Sequence, residues 1–125
     1  MSSTYKYILV VDDSQTNNML LEAVMEEAGY ATQIATSATE AWTIIHKDKP
    51  ALILLDLLMP RVSGFQMLEK LKQKEELAGI PVLVVSALND PDTIKTLKTM
   101  GADDFFAKPL DVIKLVKRVS DFLHD

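Results

Sequence analysis

Between Pro50 and Pro60 the chain runs Ala51-Leu52-Ile53-Leu54-Leu55-Asp56-Leu57-Leu58-Met59, apolar throughout except for Asp56 and closed by proline at both ends. The segment Ala51 to Leu55 is too short for a lone helix and too uniformly apolar for a half-exposed strand. It predicts a strand buried on both faces of a parallel sheet. In open parallel sheets flanked by helices, ligands bind beyond the carboxyl ends of the strands, so the acid that directly follows this run stands where chemistry is usually done. Asp56 is therefore a candidate nucleophile or metal ligand.

The rest of the chain can be placed around that strand. Tyr7 to Val11 is a second buried-strand run and ends in Asp12-Asp13. Ser14 can cap a helix whose Leu20, Val24 and Ala28, with Leu21 and Met25 beside them, are expected to face inward until Gly29 ends it. Tyr30 to Ala35 reads as a shorter, more polar edge strand, and Ser37 caps a second helix with Ala38, Ala41, Trp42 and Ile45 on one face. Arg61 to Gly64 is a loop before a third helix marked by Phe65, Leu68, Leu71 and Lys72. Ile80 to Val85 is a fourth strand that tolerates Pro81 at its start and leads into Ser86. Asn89-Asp90-Pro91 opens a fourth helix with Ile94, Leu97 and Met100 inward and Gly101 as its stop. Asp104 to Ala107 is a short fifth strand followed by Lys108-Pro109, and Val112, Leu115, Val116, Val119, Phe122 and Leu123 mark a fifth helix. Strands and helices alternate five times. The expectation is an α/β fold, a single (βα)5 domain over residues 1–125 built on one doubly wound parallel sheet.

Composition excludes several classes. A chain of 125 residues with 48% hydrophobic and 25% charged residues is an ordinary globular composition rather than a disordered one. No apolar run approaches the ~20 residues of a membrane span and the N-terminus has no signal-peptide core, so a soluble, cytoplasmic protein without membrane contact is expected. With no cysteine and two histidines, any bound metal should be a hard cation held by oxygens. A net charge of -5 disfavours direct nucleic-acid binding.

On such a sheet Asp12, Asp13, Asp56, Ser86 and Lys108 share one edge. Two carboxylates ~4 Å apart repel by about 4 kcal/mol at an effective dielectric of ~20, and a divalent cation relieves this. Oxygen-only ligands point to Mg2+, which favours one or two carboxylates together with water and a substrate phosphate. A carboxylate beside Mg2+, an ammonium and a hydroxyl is equipped to receive a phosphoryl group. Taken singly these residues have plainer readings: Asp12 and Asp13 as a helix N-terminal acid pair, Asp56 as a turn acid, Ser86 and Lys108 as surface residues. Trp42, the six methionines and Phe122 read as core, His46 and His124 as surface, and Asp103 and Asp104 as structural or surface acids.

Together, Val10-Val11-Asp12-Asp13, Leu54-Leu55-Asp56-Leu57-Leu58-Met59-Pro60, Val85-Ser86-Ala87 and Gly101-Ala102-Asp103-Asp104-Phe105-Phe106-Ala107-Lys108-Pro109 resemble the receiver domain of two-component response regulators over nearly the whole chain. The resemblance implies a flavodoxin-like three-layer sandwich with strand order 2-1-3-4-5. It implies that Asp56 accepts phosphate from a histidine kinase or phosphotransfer protein, and that Asp12, Asp13, Asp56 and the Leu58 backbone carbonyl hold Mg2+. Ser86 and Lys108 would contact the phosphoryl group, Phe105 would be the switch aromatic, and Lys108-Pro109 would be a cis peptide. The downstream reader would be an effector protein or an output domain absent from this chain. The chain itself would be a phosphoacceptor rather than an enzyme.

A haloacid-dehalogenase-type phosphatase also pairs an Asp nucleophile with Mg2+, but it needs a second Asp two residues on, where this chain has Leu58. A flavodoxin-like FMN carrier would need a phosphate loop where Asp12-Asp13 stands. Leu58 and Leu88, two residues beyond Asp56 and Ser86, offer no polar group to hold a hydrolytic water, so a long-lived phosphoryl group is expected.

Overall fold

Alternation along the strands decides which helix packs where. The structure, a computed structural model, describes residues 7–59 and 61–123; the readings of Pro60 as a stop and of His124 as a surface residue fall outside them. In chain order the elements are β1 (Tyr7–Val11), α1 (Gln15–Glu27), β2 (Ala31–Ala35), α2 (Ala38–Lys47), β3 (Leu52–Leu55), α3 (Gly64–Gln73), β4 (Val82–Ser86), α4 (Pro91–Met100), β5 (Asp104–Ala107) and α5 (Val112–Leu123). All strands pair in parallel, in the order β2-β1-β3-β4-β5. This is the expected flavodoxin-like (βα)5 topology.

Every residue of β1, β3 and β4 is buried. Odd positions of β1 (Tyr7, Leu9, Val11), with Ile53 and Leu55 of β3, pack with Ala41 and Ile45 of α2, Leu68 and Leu71 of α3 and Leu97 of α4. Ile8 and Val10, with Leu52 and Leu54, pack on the opposite face with Leu21 and Met25 of α1 and Leu115 and Val119 of α5. The sheet is thus a middle layer between α1 and α5 on one side and α2, α3 and α4 on the other. Each side chain fully withdrawn from water on either face stabilises the fold by roughly 1.5–3 kcal/mol.

Local signals start and stop the helices. The Ser14, Ser37 and Ser63 hydroxyls accept hydrogen bonds from the backbone N–H of Asn17, Glu40 and Gln66, and Gln66 returns a capping-box bond to Ser63. Gly101 ends α4 at φ +103°, a left-handed conformation that glycine adopts without strain.

Three expectations change. Met19, expected in the core with the other methionines, lies on the outer side of α1 at 62% exposure. Strand four begins at Val82 rather than Ile80, because Pro81 has no N–H and joins the ladder only through its carbonyl, which accepts from Ile53. The inward face of α1 is rotated: Leu21 and Met25 are buried together with Asn18, whereas Leu20 and Ala28 are exposed and Val24 is half-buried. The side-chain amide of Asn18 donates to the Asp12 carbonyl at 2.7 Å, and residues 18, 21 and 25 share a helix face, so this tether selects the apolar row that enters the core.

Candidate phosphoacceptor site

Four strand ends meet at one edge of the sheet, and the hydrogen-bond ladder continues one residue past the strands to hold them there. The Asp12 N–H donates to Ala35, that of Asp56 to Val11 and that of Lys108 to Ser86, at 3.1, 3.0 and 3.0 Å. The register pairs Val11 with Leu55 and Ser86 with Ala107, so Asp12, Asp56 and Lys108 each stand one step beyond the sheet beside their neighbours.

All five residues read from the sequence as a site are brought together. Carboxylate oxygens of Asp12, Asp13 and Asp56 lie within 4.8 Å of one another. Asp12 and Asp56 are buried, at 2% and 6% exposure, while Asp13 is exposed and leaves the group open to solvent on one side. Lys108 Nζ reaches Asp12 Oδ2 at 3.1 Å and Asp56 Oδ2 at 3.6 Å. Asp12 is held on its other oxygen by the Ser14 N–H at 2.9 Å. Asp56 Oδ1 accepts from the Leu58 N–H at 3.3 Å, which leaves Oδ2 turned toward the ammonium. The Ser86 hydroxyl accepts from the Leu88 N–H at 3.2 Å and also helps hold the Asp56 carboxylate in its charged form.

Burial, then the charge of Asp12, raise the pKa of Asp56 above its ordinary 3.8, and the Leu58 N–H, Lys108 and Ser86 only partly counter this. The group is therefore short of positive charge. Three convergent carboxylates with no nitrogen or sulfur donor among them, one on the solvent side, suit a hard divalent cation that keeps water or a phosphate oxygen among its ligands.

The remaining sequence candidates lie around this centre. Leu58 is 53% exposed at its rim and Leu88 is half-buried. The Lys108-Pro109 peptide is cis. Phe105 sits in β5 opposite Val84, half-buried against the core on the α2, α3 and α4 side. Asp103 and Asp104 take no part: Asp103 accepts from the Val82 N–H at 2.8 Å and pairs with Lys72, and Asp104 pairs with Arg118 at 2.7 Å.

Three supporting residues had no reading of their own in the sequence. A Cβ at Gly64 would collide with the Asp56 carbonyl and come within 2.7 Å of the Leu57 Cα, so glycine lets α3 begin directly against the turn that carries Asp56. Asn17 and Asn18 hold Asp12 by its side chain and its carbonyl. Two consecutive amides interrupting the apolar pattern of α1 were the available signal.

The model of the response regulator receiver domain matches residues 8–120. The chain belongs to that family. Among proteins similar to this receiver domain, the DNA-binding dual master transcriptional regulator RpaA of Synechocystis sp. is 37% identical over 93% of this chain, which spans about half (48%) of that protein's length. The polar-differentiation response regulator DivK of Brucella ovis is 31% identical over 96% of this chain and 98% of its own. The signal receiver domain of a histidine kinase from Syntrophus aciditrophicus superposes with a TM-score of 0.87 at 35% identity, covering 94% of this chain and 89% of that one. Receiver domains are the phosphoacceptor modules of two-component signalling, and the phosphatase reading is set aside. No helix among the described residues is long and apolar enough to cross a membrane.

Proposed function

We propose that residues 1–125 form one receiver domain in which Asp56 takes the phosphoryl group from a phosphohistidine of a histidine kinase or phosphotransfer protein. The observation that carries this reading is the meeting of Asp12, Asp13, Asp56 and Lys108 from three separate strand ends. An Asp56 carboxylate oxygen forms the new bond to phosphorus as the P–N bond breaks; the imidazole nitrogen keeps that electron pair, and the ring, protonated on its other nitrogen beforehand, leaves as neutral imidazole. The Lys108 ammonium and the Ser86 hydroxyl donate to the phosphoryl oxygens as charge shifts onto them. Asp12, Asp13, Asp56 and the Leu58 carbonyl would hold Mg2+, which when bound supplies the positive charge these carboxylates lack and draws the phosphoryl oxygens toward Asp56.

The chain turns over no external substrate in this reading and assists only its own phosphorylation and dephosphorylation, in the cytoplasm. Ser86 and Phe105 then relay the phosphorylated state to the face made by α4, β5 and α5, where an effector protein or an output domain outside this chain reads it. Leu58 and Leu88 leave the hydrolytic water without a hydrogen-bonding side chain, which favours a persistent phosphoryl group.

Incubation with Mg2+ and acetyl phosphate followed by intact mass tests the assignment. A phosphoryl increment on the wild type and none on Asp56→Asn is expected; an increment on both places the acceptor elsewhere.

A further inference from the structure

Asn18 is the polar interruption on the buried face of α1. It stands at 4% exposure in line with Leu21 and Met25, where an apolar side chain is the ordinary occupant. Its amide nitrogen donates to the Asp12 carbonyl at 2.7 Å, and its Oδ1 is buried with no donor among the described residues. A buried amide with one end unmatched contributes less to the fold than a leucine of similar size in the same place. Packing therefore does not account for Asn18, and the one group it grips belongs to the acidic cluster.

That grip falls on the link between two of the three convergent acids. The Asp12 carbonyl is part of the peptide group that joins Asp12 to Asp13, and this group is planar. Its orientation fixes ψ of Asp12, the torsion that sets how the chain leaves β1 and carries Asp13 with it. The two acids differ in how else they are held. Asp12 donates its N–H to Ala35, accepts from the Ser14 N–H on Oδ1 and meets Lys108 on Oδ2. The Asp13 carboxylate is exposed and enters no hydrogen bond or salt bridge among the described residues. Its place within 4.8 Å of the other two carboxylates is thus set by where its backbone stands, and the Asn18 amide is the side chain that holds the carbonyl before it. Asn17 reaches only the Asp12 side chain, at 3.5 Å, on the oxygen that Lys108 already holds at 3.1 Å.

We propose that Asn18 is a positioning residue for the divalent cation. It holds the peptide between Asp12 and Asp13 so that both carboxylates converge before the metal arrives, and it thereby sets the affinity of the site for Mg2+. The proposal rests on the reading of Asp12 and Asp13 as Mg2+ ligands and adds the residue that tunes them.

Calorimetric titration of the full chain with Mg2+ alone, paired with thermal melts in the absence of metal, tests it. Asn18→Leu should raise the Mg2+ dissociation constant about tenfold. Its metal-free melt should stay near that of the wild type, because leucine adds apolar contact beside Leu21 and Met25 and removes one unmatched acceptor while leaving the Asp12 carbonyl without its donor. Asn18→Ala, which takes away the donor without adding bulk, should weaken Mg2+ to a similar extent whatever its melt. Asn17→Ala should change the dissociation constant less than about twofold, since its contact is at the limit of a hydrogen bond. In uptake of phosphate from acetyl phosphate by Asn18→Leu, the Mg2+ concentration for half the maximal rate should rise with the dissociation constant, while the rate at saturating Mg2+ stays within about twofold of wild type. Unchanged Mg2+ affinity in either Asn18 variant overturns the proposal and leaves the metal reading standing. So does a loss confined to the rate at saturating Mg2+, or an equal weakening by Asn17→Ala. A wild type that binds no Mg2+ overturns the metal reading and the proposal with it.

Discussion

Leu55 and Asp56 are adjacent in the chain and both buried, at 0% and 6% exposure, yet they lie in opposite physical situations. Leu55 is the last residue of a strand in which every side chain is surrounded by apolar neighbours. Asp56 is the first residue past it, where burial and a second carboxylate work against its charge. The strand interiors hold the molecule together. The strand ends are held in place against their own preference, by the ladder that runs one bond beyond the sheet and by Lys108. Chemistry sits where the scaffold is strong enough to bear unfavourable groups.

This contrast can be broken most directly in the interior. Leu54→Ala empties a fully buried position between the sheet and the α1 and α5 layer, and should cost about 2–5 kcal/mol in urea unfolding. The folded fraction should still take up phosphate from acetyl phosphate; a variant that folds normally but cannot be phosphorylated would show that interior and edge are not separable in this way.

At the edge, a cation should act in the opposite direction. Mg2+ at about 100 times its dissociation constant should stabilise the protein by about 2.7 kcal/mol. Asp13→Ala should shrink the shift in melting temperature. A wild-type melt that ignores Mg2+ would remove the metal assignment.

The cost of holding Asp56 is visible through pH. Its folded pKa lies above the ordinary 3.8, so the folded state binds this proton more tightly than the unfolded chain does. The ionised group therefore lowers stability in full above its raised pKa, progressively less between there and 3.8, and not at all below. Without Mg2+, Asp56→Asn should stabilise the fold at neutral pH, raising the melting temperature, and the gain should vanish as pH falls through that window. A gain that persists in acid would mean packing, rather than charge, is responsible.

The smallest effect concerns the rim. Replacing Leu58 by Asn and Leu88 by Glu should speed loss of phosphate several-fold, on the order of 1 kcal/mol in the barrier, with no change in melting. Equal rates in variant and wild type would separate phosphoryl lifetime from the polarity of these two positions.

The strand interiors were the most legible part of the chain, because a run such as Ile8 to Val11 or Leu52 to Leu55 has few other ways to shelter so much apolar surface. Asp12, Asp56 and Ser86 were legible for a related reason: each directly follows or ends such a run, while Lys108 follows the short, half-buried β5, and parallel pairing puts these strand ends side by side. Helix α1 was read less well. Its rows Leu20-Val24-Ala28 and Leu21-Met25 are both apolar and only one residue apart, so spacing cannot rank them. Gly64 looked like part of a loop, since nothing in the local sequence reveals that a neighbouring backbone passes within reach of its missing Cβ.

By itself the sequence determined the count and order of the elements, the apolar character of the sheet and the identity of the polar residues at its edge, because periodicity, caps and breakers act over a few residues. Tertiary structure decided which face of α1 turns inward, through the amide of Asn18 reaching the Asp12 carbonyl. It also decided that Lys108 spans Asp12 and Asp56, 96 and 52 residues away in the chain. Those outcomes depend on distances between elements that meet only after the sheet has formed, and short-range pattern carries no record of such distances.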